Sequence, residues 1–235
     1  MITRKVLLFD LGDVIWDECL AIRYIMDTAL DILREQGVVL GYDEWYTSYY
    51  KAAAEKQIKH NRTYRTIMNL VNDYKLTEYV MNVLDKELKS IGLDSFAKLH
   101  PLRENIGKIL SDLKSKYIMG VASNQSNLGK ELFRSYNLCE FFDKEYFSCD
   151  LNVKKPDRKF FEYILQDLCV KSDDIIMVGN RKDIDIIPAK EIGMKTIQYV
   201  CENAHLDERL FFQDISADYC VDNMNMLYGV LLNEL

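Results

Sequence analysis

From Pro101 to the C-terminus, short apolar runs with strand character alternate with stretches of helical periodicity, and this alternation constrains the fold more than any other feature. Helix signals near Leu102–Lys114, Leu128–Tyr136, Arg158–Leu168 and from about Asp183 are interleaved with strand signals at Tyr117–Ala122, Ile175–Val178, Thr196–Val200 and Tyr219–Val221. A last helix runs to the C-terminus. Strands joined through helices are led back to the same end of the sheet and lie parallel. The other end of the chain offers one more strand: Val6-Leu7-Leu8-Phe9, closed by Asp10 and Gly12, has the unbroken apolar character of a strand covered on both faces. The pattern predicts an α/β fold with a Rossmann-like, doubly wound parallel sheet.

The stretch between these strands has a different character. Ile22, Met26, Ala29 and Leu33 recur at helical spacing, and Gly37 stands where a helix would stop. More helical periodicity follows at Glu44–Ile58, Tyr64–Asp73 and Thr77–Ser90, with little strand signal between. The expected organisation is a sheet domain of residues 1–15 and 100–235, with an all-helical domain inserted at 16–99.

Composition narrows the class. With 235 residues, 49% of them hydrophobic, the chain can bury a sizeable core. A net charge of −7 argues against a general nucleic-acid binder. The apolar run before Asp10 is too short for a signal peptide or a membrane span. Six cysteines (Cys19, Cys139, Cys149, Cys169, Cys201, Cys220) form no C-x-x-C pair, which suits reduced thiols in the cytoplasm. The expectation is a cytoplasmic enzyme, monomer or homodimer, with no nucleic acid and no membrane among its partners.

Ligands of open parallel sheets bind beyond the carboxyl ends of the strands. That rule selects Asp10 after the first strand, Ser123 and Asn124 after the second, and Asn180, Asp183 and Asp185 after a third. Lys155 lies in the loop Asn152–Asp157, just ahead of a predicted helix. A carboxylate nucleophile, a hydroxyl and an amide for an anion, a cation, and further carboxylates for a metal are what phosphoryl transfer requires. Singly, each has an ordinary explanation. A strand-end aspartate commonly forms a turn or caps a helix, the reading preferred for Asp13 and Asp183. Ser123-Asn124 alone is a turn, and a lysine before proline is a solvated loop residue. Their order and spacing together outweigh those explanations.

These segments resemble the haloacid dehalogenase-like hydrolases over essentially the whole chain. Leu8-Phe9-Asp10-Leu11-Gly12-Asp13-Val14-Ile15 is similar to the first motif, led by the nucleophilic aspartate, and Val121-Ala122-Ser123-Asn124 to the second. Lys154-Lys155-Pro156-Asp157 resembles the third motif, and Met177-Val178-Gly179-Asn180-Arg181-Lys182-Asp183-Ile184-Asp185 the acidic fourth, continued by Ile192-Gly193-Met194-Lys195-Thr196. An insert directly after the first motif resembles the helical cap of the subclass containing phosphoglycolate-type phosphatases and haloacid dehalogenases. The resemblance implies a Mg2+-dependent phosphatase of a small phosphorylated metabolite. Asp10 would form an aspartyl-phosphate, and Ser123 and the Asn124 backbone amide would hold phosphoryl oxygens. Lys155 would neutralise charge at Asp10 and the phosphoryl group. Asp10, the Gly12 carbonyl, Asn180 and Asp185 would hold Mg2+.

Two positions depart from that family. Gly12 stands where its phosphatases carry an aspartate that protonates the leaving alcohol, a loss worth about 10²–10⁴-fold in rate. Asp13 follows directly, but adjacent loop side chains usually diverge. Asn180 stands in place of the first acidic residue of the fourth motif and brings oxygen without charge. Both departures also suit a decayed, regulatory protein of the same fold. They suit as well a metal-independent 2-haloacid dehalogenase, in which Arg23 would stand in for a carboxylate-binding arginine. The insert carries Lys51, Lys56, Lys59, Arg62 and Arg65 against Glu55, preceded by Tyr42, Trp45, Tyr46, Tyr49 and Tyr50. This is either an anion-attracting, stacking surface or a solvated helix face beside an aromatic core, and tyrosines at helical spacing favour the latter. His60, His100 and His205 have no ligand-like spacing and carry no assigned role.

Overall fold

Strand β1 (Val6–Phe9) runs through the middle of the molecule, and its four residues are all buried. Leu7 and Phe9 face one apolar cluster while Val6 and Leu8 face a second one on the opposite side. The absence of polar alternation thus follows from helices covering both faces. In this computed structural model, residues 5–54, 61–200 and 217–233 are described. The sheet they form has six parallel strands in the order β3-β2-β1-β4-β5-β6. The other five strands are β2 (Ile118–Ser123), β3 (Lys144–Phe147), β4 (Ile175–Gly179), β5 (Lys195–Tyr199) and β6 (Tyr219–Val221). The doubly wound parallel sheet expected from the sequence is present.

Helices α1 (Cys19–Glu35), α2 (Tyr42–Ala54), α3 (Arg62–Val71), α4 (Tyr74–Ser90) and α5 (Leu93–Leu99) all lie between β1 and β2 in the chain. Met26, Ala29, Leu33, Trp45, Ile67 and Val80 make an apolar cluster of their own, built from α1 to α4. Leu93, Phe96 and Ala97 of α5 instead pack against the sheet cluster, and Trp16 is buried within it. Gly37, at a φ of 81°, lies just past the end of α1, in a conformation that costs a residue with a Cβ strain. Helix α6 (Ile106–Lys114), α7 (Asn127–Ser135) and the C-terminal α11 (Met224–Asn233) cover the face holding Leu7 and Phe9. α9 (Arg158–Leu168) and the short α10 (Ile187–Glu191) cover the other face, and α8 (Ser148–Leu151) follows β3. No described helix is long and apolar enough to cross a membrane.

Strand β3 and helix α5 have no counterpart in the sequence reading. β3 is a four-residue edge strand whose Lys144 and Glu145 are not buried, so it presents no apolar run to detect. Ahead of α10, residues Lys182–Ile186 form a π-helical turn where the sequence suggests an ordinary helix start. Such widened turns cluster at functional sites because they re-aim side chains. Ser126 caps α7 through Gly129 N (3.2 Å), and Asp157 caps α9 through Lys159 N (2.9 Å). Both caps fix the ends of loops that leave the carboxyl edge of the sheet.

Tyr117 is fully buried at the start of β2 and donates its hydroxyl to the Leu231 carbonyl of α11 at 2.5 Å. Tyr117→Phe keeps the ring and orphans that carbonyl, so the urea midpoint should fall by the equivalent of about 1–3 kcal/mol at unchanged m. An unchanged midpoint would show that this bond adds nothing to the docking of α11.

Candidate active site

The register of the central strands brings the selected residues together. Phe9 pairs with Val121 on one side and Val178 on the other. Asp10 continues the ladder by donating its N–H to Val178 O at 2.9 Å. Asp10, Ser123 and Asn180 therefore leave neighbouring strands at one edge, where the order of the strands reverses around β1.

Asp10 Oδ1 accepts the Ser123 hydroxyl at 2.6 Å and lies 3.1 Å from Lys155 Nζ. The same ammonium donates to Asp185 Oδ1 at 2.5 Å, and Arg181 N donates to Asp185 Oδ2 at 3.0 Å. All four of Asp10, Ser123, Lys155 and Asp185 are buried. Burial alone would lower the Lys155 pKa, but the carboxylates of Asp10 and Asp185 outweigh it and hold the ammonium above its ordinary range. Asp185 is pushed up to about 6, chiefly by burial; the charge of Lys155 opposes the shift and that of Asp10 adds to it. Gly179 makes the approach possible: a Cβ there would lie 2.6 Å from both Cγ and Oδ2 of Asp185.

The Asn124 side chain acts on the backbone of the lysine loop. Its Oδ1 accepts Lys155 N at 2.9 Å and its Nδ2 donates to Lys155 O at 2.8 Å. These two bonds fix the backbone from which the lysine side chain enters the buried pocket.

Asp13 behaves as a turn former. At a φ of 57° its buried carboxylate accepts Glu18 N (3.1 Å) on Oδ1 and Asn180 Nδ2 (3.3 Å) on Oδ2. Arg103 reaches the Asp13 carbonyl (3.1 Å), the Asp13 carboxylate (3.5 Å) and Asp17 (2.9 Å). Asp13, Asp17 and Cys19 could converge on a cation, but this same guanidinium already neutralises the two carboxylates. Asp183 is tied to Arg181 at 2.9 Å; burial raises its pKa, and the charges of Arg181 and Arg62 more than reverse that.

The residue that sequence reasoning missed is Glu18. It precedes α1 and lies beside Gly12, with Trp16 Nε1 donating to its Oε1 at 3.4 Å. Its pKa is pushed up to about 8 by burial and then by the charges of Asp13 and Asp10. A glutamate eight positions past the nucleophile candidate has no spacing signal, because only a loop that coils back beside Gly12 brings it close. That coil is visible as a parallel bridge between Gly12 and Trp16, with Trp16 also paired antiparallel to Leu102.

The donor set fits a hard divalent cation. Asp10, Asn180, Asp185 and the Gly12 carbonyl supply oxygen alone, the preference of Mg2+. Two buried carboxylates share one ammonium, which leaves uncompensated negative charge at the site.

Other expectations resolve differently. Arg23 is exposed on α1, 3.8 Å from Asp27 and over the Tyr42 ring, so it takes no part in the Asp10 cluster. Trp45 is buried in the helical insert, Tyr46 stacks on Tyr50, and Arg62 lies 5.1 Å over the Tyr49 ring. Of that stretch Trp45 is buried, Tyr49 and Tyr50 are half-buried, and Tyr42 and Tyr46 remain exposed. His100 is buried, with Nδ1 2.8 Å from the Phe96 carbonyl, and burial lowers its pKa. Glu55, Lys56, Lys59, His60, Cys201 and His205 lie outside the described residues.

A family model described as haloacid dehalogenase-like hydrolase matches residues 7–199. The chain is 28% identical over 200 residues to a protein named glyceraldehyde 3-phosphate phosphatase from Methanothermobacter thermautotrophicus, covering 82% of this chain and 84% of that one. It is 24% identical over 231 residues to the protein of that name from Methanocaldococcus jannaschii, covering 97% of each. Among solved structures, the magnesium-bound HAD-hydrolase YfnB from Bacillus subtilis superposes with a TM-score of 0.63 at 18% identity, over 97% of this chain and 99% of that one.

The ion cluster generates a stability contrast. In metal-free buffer Lys155→Met leaves two buried carboxylates without their shared cation and should cost about 3–5 kcal/mol in urea unfolding. Asp10→Asn removes one of the two competing charges and should leave stability unchanged or raise it. Equal losses in both variants would mean that the ammonium is not what balances this pocket.

Proposed function

The chain belongs to the haloacid dehalogenase-like hydrolases, and we propose that it is a Mg2+-dependent phosphatase of a small phosphorylated metabolite. The observation carrying this reading is the placement of Asp10, with Ser123 at 2.6 Å and Lys155 at 3.1 Å, at the edge of the sheet where its strand order reverses. The curated relatives named as glyceraldehyde 3-phosphate phosphatases support it and make triose phosphates the first metabolites to test.

Asp10 is the nucleophile. One oxygen is fixed by Ser123 and Lys155, while its Oδ2 accepts no hydrogen bond among the described residues and is the oxygen that attacks phosphorus. The Lys155 ammonium neutralises charge on the nucleophile and on the incoming phosphoryl oxygens. Ser123 Oγ and the Asn124 backbone amide orient the phosphoryl group, and the Asn124 side chain positions Lys155. Asp10, Asn180, Asp185 and the Gly12 carbonyl would hold Mg2+, which when bound adds charge neutralisation at the phosphoryl group.

In this reading the helical insert is a cap that sets substrate choice. A cleft of about 640 Å³ lies between it and the core, lined by Tyr24 and Ile25 of α1, Leu88 of α4, Phe96 of α5, and Ser126 and Leu128 beyond β2. A cytoplasmic setting belongs to the same reading, and Cys19, Cys139, Cys149, Cys169 and Cys220 are free thiols.

The test is Mg2+-dependent hydrolysis of p-nitrophenyl phosphate, whose good leaving group largely bypasses the missing acid at position 12. Asp10→Asn, prepared identically, should remove the activity, and Mg2+ should raise the melting temperature of the wild type. A wild type no faster than Asp10→Asn and indifferent to Mg2+ would instead make this a binding protein with a decayed site.

A further inference from the structure

The first-motif loop lacks a side chain at Gly12, and the space such a side chain would take is filled by the carboxyl group of Glu18. A Cβ placed on Gly12 would lie 2.6 Å from Glu18 Cδ and 3.0 Å from its Oε2. A carboxyl therefore occupies the space of the missing side chain, although it comes from another point of the loop. The position is built rather than incidental. Glu18 N donates to Asp13 Oδ1 at 3.1 Å, Trp16 Nε1 donates to Glu18 Oε1 at 3.4 Å, and the loop coils back beside Gly12 at the parallel Gly12–Trp16 bridge. The neighbouring carboxylates are occupied: Asp13 by Asn180 and Arg103, and Asp17 by Arg103. Glu18 forms no ion pair among the described residues.

We infer that Glu18 is the proton donor to the leaving oxygen in the phosphatase reaction, replacing the acid absent at Gly12. The inference rests on the phosphatase reading above. In the first step an Asp10 oxygen bonds to phosphorus and the bond from phosphorus to the leaving oxygen breaks. That oxygen keeps the electron pair and takes the Glu18 proton, leaving as a neutral alcohol. In the second step water attacks the aspartyl-phosphate and gives a proton to the Glu18 carboxylate. The phosphorus–Asp10 bond breaks, which releases inorganic phosphate and restores both side chains. Because Glu18 directly precedes α1, the first helix of the insert, its alignment is coupled to the seating of that helix on the core.

The experiment compares two esters of similar shape and different leaving groups, p-nitrophenyl phosphate and phenyl phosphate, in single-turnover release of the phenol with saturating Mg2+. A donor matters most where the leaving group is poor. Glu18→Gln, which keeps the shape of the side chain, should slow phenol release from phenyl phosphate by about 10²-fold or more and p-nitrophenol release by less than about 10-fold. Retained turnover of the activated ester also shows that the variant is folded. Adding Gly12→Asp to Glu18→Ala returns a carboxyl to the same space and should recover phenyl phosphate turnover relative to Glu18→Ala alone. Equal losses on both esters, or no loss on either, would overturn the inference while leaving the phosphatase reading intact. A wild type no faster than Asp10→Asn on either ester would overturn both.

Discussion

The Lys155 ammonium, enclosed between the carboxylates of Asp10 and Asp185, is the interaction on which the rest of the site depends. It joins three loops from distant parts of the chain, and none of them could bury its charged residue alone. Its geometry is imposed from outside the cluster: Asn124 holds the lysine backbone at both polar atoms, Ser123 pins the inner oxygen of Asp10, and Arg181 N holds Asp185. The ammonium serves two carboxylates at once, so the pocket retains negative charge suited to a divalent cation. A buried cation shared by two carboxylates at the end of a parallel sheet has the charge pattern of a functional-site candidate.

Around that cluster a second polar assembly governs the loop after β1. Arg103, packed over the Tyr199 ring, holds Asp13 and Asp17, and through them the turn that carries the chain from the sheet into the helical insert. Asp13 also accepts from Asn180, which joins the first and fourth motifs directly. The substitution of an amide for a carboxylate at 180 then has a local reason. An aspartate there would face the Asp13 carboxylate without a donor between them, whereas the amide nitrogen supplies one.

Much of this was legible in the residues. The unbroken apolar runs of β1 and β4 marked strands covered on both faces, and the alternation after Pro101 gave the parallel sheet that the structure contains. Asp10, Ser123, Asn180 and Lys155 could be selected because strand ends and the loops beside them are recognisable without coordinates. Edge strand β3 was not legible, since Lys144 and Glu145 give it the composition of a loop. Neither was the π-helical turn at Lys182–Ile186, which shares its local composition with an ordinary helix start.

Which side chains meet was a different matter. The sequence by itself determined the layered architecture and the edge of the sheet at which polar residues gather, because periodicity and turn chemistry are local properties of the chain. Only the tertiary structure decided that the adjacent Asp13 is committed to Arg103 and Asn180 while the more distant Glu18 takes the place beside Gly12. That choice depends on the loop coiling back beside Gly12 at the parallel Gly12–Trp16 bridge and on the positive φ at Asp13. Separation along a chain does not determine distance across a turn, and a single left-handed residue redirects every side chain that follows it.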